Sequence, residues 1–319
     1  MMNKPRIAVI VAAYNTEKYI SECLDSILAQ DYEQWTAYII NDGSTDDTSN
    51  ICKKYEESDS RFVLLNKENG GCSQARRFGI DCVENCEYLT FLDSDDKYIN
   101  VHLFSQVIAK ISEHGCVCFN YQVGDGRPFS TCDREYVFSG EKDIIKNIYC
   151  RRIIDGNSQY AVYPVDVVKK NFKTLECAND DYINKIAMVS NCDTVVYLPL
   201  IAYMYRINQS GLTHSLPKES DIAYYLHAKE HTSQNIKRFP EIAEEADYFK
   251  NWILLWTATV ISKHKESSNL SYYSFVLHEM DNEADSYMHN KYFSLRNRLT
   301  FWLIRLRVFR FLYNLYHMV

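Results

Sequence analysis

Three carboxylates stand within four positions at Asp93-Ser94-Asp95-Asp96, directly after the apolar run Tyr88-Leu89-Thr90-Phe91-Leu92. Carboxylates this close repel one another and raise each other's pKa unless a cation or hydrogen-bond donors offset them. Oxygen-only ligands suit hard divalent ions such as Mg²⁺ or Mn²⁺, which often take substrate phosphates as further ligands. The cluster therefore reads as a metal-bridged diphosphate site. The alternative is a solvated acidic turn at a strand end, and the neighbouring elements must decide.

Those elements alternate. Between Arg6 and Leu92 a short apolar run is followed, repeatedly, by a capped stretch of helical period. Ile7 to Val11 leads through Asn15-Thr16 into a helix with Ile20, Cys23, Leu24, Ile27 and Leu28 on one face. Ala37 to Ile40 leads through Asp42-Gly43-Ser44 to a helix holding Ile51 and Tyr55, and Phe62 to Leu65 leads through Asn69-Gly70-Gly71 to one with Ala75, Phe78 and Gly79. Such alternation predicts an α/β fold, a mostly parallel sheet flanked by helices. Ligands of these sheets bind outside the carboxyl ends of the strands, where Tyr14, Asp42, Asn69 and Asp93 converge. The middle of the chain is less regular. It is expected to hold a helix from His102 to Glu113, a strand near Val117 to Tyr121, polar loops around Gly124, Gly126 and Pro128, and a helix starting at Asn179-Asp180-Asp181, where Asn caps and early acids suit the helix dipole. After about Lys218 the pattern is helical throughout.

Bulk properties bound the function. The chain has 319 residues, 46% hydrophobic and 24% charged, enough for a large core and unlike a disordered chain. Its 11 cysteines include no paired Cys-x-x-Cys units, so they read as reduced cytosolic thiols and not as zinc ligands or a disulfide framework. A net charge of -7 argues against a nucleic-acid partner. No signal peptide is legible and no apolar run reaches the roughly eighteen residues of a membrane-spanning helix.

The motifs in order resemble the inverting, metal-dependent glycosyltransferases of the GT-A fold, specifically the large family 2 of bacterial polysaccharide synthesis. The resemblance covers about Arg6 to His214. It rests on Ile10-Val11-Ala12-Ala13-Tyr14-Asn15 with Leu24-Asp25-Ser26-Ile27, on Ile40-Asn41-Asp42-Gly43-Ser44-Thr45-Asp46, on Asn69-Gly70-Gly71 with Ala75-Arg76, and on Phe91-Leu92-Asp93-Ser94-Asp95-Asp96. Ala12 departs from the family, which more often has proline there, and Asp180-Asp181 replaces its usual Glu-Asp pair. Tyr205-Arg206, Ser210 and Thr213 look like its later Tyr-Arg…Ser…Thr run.

The resemblance implies a Rossmann-like GT-A domain over residues 1–215, its nucleotide-binding half at 1–98 and its acceptor-binding half at 99–215, with a helical region over 216–319. It implies that Asp42 accepts the imide hydrogen of uracil, favouring a UDP-sugar, while Ala12 and Tyr14 wall the base and Asn69 and Arg76 complete the pocket. Asp93 would contact the ribose or sugar, and Asp95 would bind Mn²⁺ or Mg²⁺, with Asp96 supporting it. Arg206, Ser210 and His214 would approach the diphosphate. Inversion needs a base opposite the leaving group; Asp181 is the choice and Asp180 the competitor. The implied acceptor is a saccharide or a polyprenyl-diphosphate-linked saccharide in capsule, exopolysaccharide or O-antigen assembly, with teichoic acid or protein as alternatives. A catalytically silent nucleotide-binding assembly partner is the alternative of a different class.

The tail is basic and aromatic. No acid follows Asp285, while Lys291, Arg296, Arg298, Arg305, Arg307 and Arg310 do. A helix from Tyr292 to Met318 would place Ile304, Val308, Phe311, Leu312 and Leu315 on one side and Arg307, Arg310 and Asn314 on another, fit for the inner face of the cell membrane. Docking on the protein's own core or in a homodimer seam is the alternative.

Overall fold

The computed structural model describes residues 4–126, 128–129, 132–150, 153–154, 157–175, 180–208, 220–263 and 271–309. They fall into two compact units, one within Met1–Leu175 and Asp180–Asn208 and the other within Gln209–Val319.

The first unit opens with the expected alternation: β1 (Ile7–Ala13), α1 (Ile20–Leu28), β2 (Trp35–Asp42), α2 (Thr48–Ser58), β3 (Phe62–Lys67), α3 (Cys72–Cys82) and β4 (Tyr88–Asp93). It continues through β5 (Lys97–Tyr98), α4 (Leu103–Ile108), β6 (Gly115–Val123), β7 (Pro128–Phe129), β8 (Tyr136–Ser139), α5 (Glu141–Cys150), β9 (Ala161–Pro164), α6 (Val165–Asn171), α7 (Asp180–Val189) and β10 (Thr194–Tyr205). The sheet order is β3-β2-β1-β4-β9-β6-β10-β5, with β7 on β6 and β8 on β10. From β3 to β4 every pairing is parallel. Beyond β4 the sheet is mixed, because β9 runs antiparallel to both β4 and β6.

Parallel strands covered on both faces read as continuous apolar runs, and β1 is one. Ile7, Val9 and Val11 join a core with Ile20, Leu24 and Ile27 of α1 and Leu103 and Phe104 of α4. On the other face Ile10 and Ile40 meet Gly79 of α3, where a Cβ would lie 2.6 Å from Ile40 Cδ1. Helix and strand boundaries depart from expectation in the middle of the chain. The helix predicted to Glu113 stops at Ile108, closed by the N–H groups of Lys110 and Ile111 on the Val107 carbonyl, and Pro128 lies in a short strand, not a loop. The cap Asn179 lies outside the described residues. No disulfide joins the described cysteines.

The second unit holds α8 (Ser220–Arg238), α9 (Ala243–Lys263), α10 (Ser271–Asn282), α11 (Ala284–His289) and α12 (Leu295–Arg305). Among the described residues no helix is long and apolar enough to cross a membrane. The tail differs from the predicted single helix over Tyr292 to Met318. Ser294 caps α12 by accepting from the Asn297 N–H, and the helix ends in a turn whose Arg307 has φ 60°. Its Phe301 and Ile304 are fully buried, with Phe301 stacked on Tyr287 at 4.2 Å between centroids. The side predicted for a membrane thus packs on the unit's own helices at Ile304; Arg310, Phe311, Leu312, Asn314 and Leu315 lie outside the described residues.

Candidate active site

The predicted crevice forms at the carboxyl ends of β1 to β4. Ala12 pairs in register with Ile40 and with Asp93, so the first, second and fourth loops start side by side. Ala12 is half-buried and Tyr14, two residues on and therefore on the same side, is exposed. The first two loops are laced together: Asn15 Oδ1 accepts from the Thr45 N–H at 2.8 Å, and the Asn15 N–H donates to Ser44 Oγ at 3.1 Å. Gly43 has φ 72°, and a Cβ there would stand 2.9 Å from the Asn69 nitrogen, so only glycine lets the second and third loops approach this closely.

Asp42 lies at this junction, 2% exposed. Its Oδ1 accepts from Lys67 Nζ at 2.5 Å and from the Gly70 N–H at 3.0 Å; its Oδ2 accepts from the Gly71 N–H at 2.8 Å. A carboxylate offers about four lone-pair sites, so Oδ2 keeps one open. Asn69 is exposed beside it.

The acidic turn after β4 is built from both halves of the unit. The Asp93 N–H donates to Tyr203 Oη at 3.2 Å, and that hydroxyl donates to Asp96 Oδ2 at 2.7 Å. Asp96 also accepts from the Arg206 N–H at 2.7 Å. Burial, and then the charges of Asp93 and Asp95, push the Asp96 carboxyl up to about 8. The Asp93 carboxyl is also raised, by burial and by Asp181 and Asp95, against the lowering effect of Arg76. Asp95 is half-buried and accepts from Asn208 Nδ2 at 3.2 Å. Arg206 turns its guanidinium to the Asp95 carbonyl (2.8 Å) and to Glu22 (3.0 Å), 4.9 Å over the Tyr19 ring.

Asp181, the second residue of α7, meets the acidic turn through shared donors. Arg76, 3% exposed, reaches Asp181 Oδ1 with Nη1 and Asp93 Oδ1 with Nη2, the latter at 2.5 Å. Gln159 Nε2 repeats the bridge, at 2.8 Å from Asp93 Oδ2 and 3.1 Å from Asp181 Oδ2. Ser158 Oγ donates to Asp181 Oδ1 at 2.8 Å. Arg76 is therefore a buried bridge between two acids and not a solvated helix charge. Of Asp180 only the helical backbone is described, and Ser210, Thr213 and His214 lie outside the described residues.

Ala12, Tyr14, Asp42, Asn69, Asp93 and Asp95 thus lie at the neighbouring ends of β1 to β4, Arg206 reaches them from the end of β10, and Arg76 links Asp93 to Asp181. Sequence reasoning passed over Lys67, Ser158, Gln159, Tyr203 and Asn208. Lys67 carries a usable signal, a cation two residues before Asn69-Gly70-Gly71. Ser158 and Gln159 carry none beyond being a short polar run before the apolar strand β9.

The profile of glycosyl transferase family 2 matches residues 8–172. The chain is 30% identical over 234 residues to glycosyltransferase GlyA of Streptococcus pneumoniae, covering 67% of this chain and 32% of that one. EpsH of Bacillus subtilis is 28% identical over 262 residues, 78% of this chain and 75% of that one. The chain therefore spans about a third of GlyA and three quarters of EpsH. Among solved structures, Staphylococcus aureus TarS 1-349 in complex with UDP-GlcNAc superposes with a TM-score of 0.66 at 19% identity, over 98% of this chain and 92% of that one. The mannosyltransferase PcManGT of Pyrobaculum calidifontis, in complex with GDP-Man and Mn²⁺, gives 0.53 at 17% identity, over 96% of this chain and 86% of that one. The half-parallel sheet, the four strand-end motifs and the profile match over more than half the chain agree: this chain belongs to glycosyl transferase family 2, with the GT-A fold.

Proposed function

We propose that the chain transfers a hexose, with inversion, from a UDP-sugar to a saccharide or lipid-linked saccharide acceptor in building a cell-surface polysaccharide. The observation that carries this reading is the double bridge of Arg76 and Gln159 between Asp93 and Asp181, which couples a donor-side carboxylate to an acceptor-side one. The nucleotide sugars in the TarS and PcManGT complexes support the donor class.

Each residue has a task in this reading. Ala12 and Tyr14 wall the base, Asn69 borders it, and the open lone pair on Asp42 Oδ2 accepts the uracil imide hydrogen. Asp93 contacts the ribose or the sugar, and Arg206 turns from Glu22 toward the diphosphate. Of Asp181's four lone-pair sites three accept from Arg76, Ser158 and Gln159. The remaining one on Oδ2 takes the proton of the attacking hydroxyl as its oxygen bonds to the anomeric carbon and the bond to UDP breaks.

Among the described residues no three His, Cys, Asp or Glu side chains form a closed metal cage. A single half-buried carboxylate at Asp95, with Asp93 beside it, nonetheless fits Mg²⁺ or Mn²⁺, which commonly binds through one or two carboxylates plus water and substrate phosphates. When bound there, the ion would supply charge neutralisation for the departing diphosphate. The test is calorimetric titration of UDP, GDP and dTDP with Mn²⁺ or with chelator, on the wild type and on Asp95→Ala. Metal-dependent preference for UDP, lost in Asp95→Ala, is expected. Binding of no nucleotide would favour the silent assembly partner, and unchanged Mn²⁺ dependence in the variant would remove Asp95 as the ligand.

A further inference from the structure

The side of α12 turned away from its own core is apolar, and we propose that it lays the helical unit onto an anionic lipid surface, parallel to the headgroup plane. Leu295, Leu299, Trp302 and Leu306 follow one another at helical spacing and are 84%, 58%, 37% and 64% exposed. Opposite them Phe301 and Ile304 are fully buried. The helix is therefore apolar on two sides, and the core uses only one. Single exposed leucines need no explanation, whereas four aligned side chains form a patch. Met288 of α11 widens it, exposed and 3.3 Å from Trp302 Nε1.

Charge selects the partner. On the helical projection Arg296 flanks the stripe on one edge and Arg298 and Arg305 on the other, while Arg307 follows in the turn. Arg305 is paired with Asp281 at 2.5 Å, but among the described residues Arg296 and Arg307 meet no carboxylate. No acid follows Asp285, in a protein whose net charge is -7. A second copy of this face would bring the same arginines together, whereas anionic headgroups offset them as the leucines and Trp302 enter the acyl boundary. Tryptophan is favoured at that depth. The inference differs from the side suggested by sequence, since Ile304 is inside, and it is independent of which nucleotide sugar the first unit binds.

The 319-residue chain is pelleted with vesicles of phosphatidylcholine alone and of phosphatidylcholine with phosphatidylglycerol, at low and at high salt. Binding to the anionic vesicles that salt weakens is expected. Combined Leu295→Ser, Leu299→Ser and Leu306→Ser should lower it by about tenfold or more, and Arg296→Gln with Arg307→Gln by roughly fivefold per charge. Nucleotide titrations should be unchanged in both variants, which separates failure here from failure of the donor reading. Absence of vesicle binding, equal binding to both vesicle types, or full binding by the leucine variant would overturn the proposal. So would a wild-type dimer that the leucine variant converts to monomer while vesicles capture neither.

Discussion

Asp42 and Asp181 each receive three hydrogen bonds, but from different kinds of donor. Asp42 is held by Lys67, the last residue of the adjacent strand β3, and by the backbone N–H groups of Gly70 and Gly71 on the loop that follows it. Asp181 is held by side chains only, from Arg76 on α3 and from Ser158 and Gln159 before β9, and two of these are shared with Asp93. Backbone donors survive substitution of the residues that carry them, so the Asp42 site depends on local loop shape. The Asp181 site depends on which side chains distant segments contribute.

The largest effect should come at the acceptor end. Asp181→Asn keeps the shape but cannot take a proton, and transfer should fall by about 10²–10⁴-fold while nucleotide affinity is held; full turnover in a transfer assay would eliminate Asp181 as base and return attention to Asp180.

Next comes stability, where the two sites should differ. Arg76→Ala leaves Asp93 and Asp181 with no cation between them, and loss of one partner from a buried pair typically costs about 3–5 kcal/mol. Lys67→Ala leaves Asp42 its two backbone donors, and the cost should be nearer ~1 kcal/mol. Denaturant unfolding of both variants decides this, and equal costs would break the contrast between the sites.

A further effect is a slope with pH. Asp96, pushed up to about 8, keeps its proton in the folded chain. In the unfolded chain an ordinary aspartate loses it near ~3.9. The folded state binds more protons between these values, so this group makes stability fall as pH rises through about 4 to about 8. In chelator, Asp96→Asn should flatten that fall in thermal melts; an unaltered slope would assign it elsewhere.

Much of this was legible beforehand. The apolar runs and capped helices from Arg6 to Leu92 appear as β1 to β4 with α1 to α3 between them, and the strand-end residues Ala12, Tyr14, Asp42, Asn69, Asp93 and Asp95 lie where alternation predicts. Gln159 and Ser158 were not legible, because a polar pair in a single 3-10 turn has no periodicity to mark what it will touch. The antiparallel insertion of β9 was hidden for a related reason: a strand of four buried residues carries no sign of its direction.

In α12 the limit has another form. Its apolar residues occupy two sides, so helical spacing identifies both and ranks neither; packing against the rest of the unit buried Phe301 and Ile304 and left Leu295, Leu299, Trp302 and Leu306 outside. By itself the sequence determined the order of strands and helices from Arg6 to Leu92 and the loops there that carry acids, since these follow from residue periodicity and turn chemistry within a few positions. Only the tertiary structure decided that Arg76 joins Asp93 to Asp181, and which side of the last helix is inside, because both depend on contacts between segments whose separation along the chain leaves no local trace.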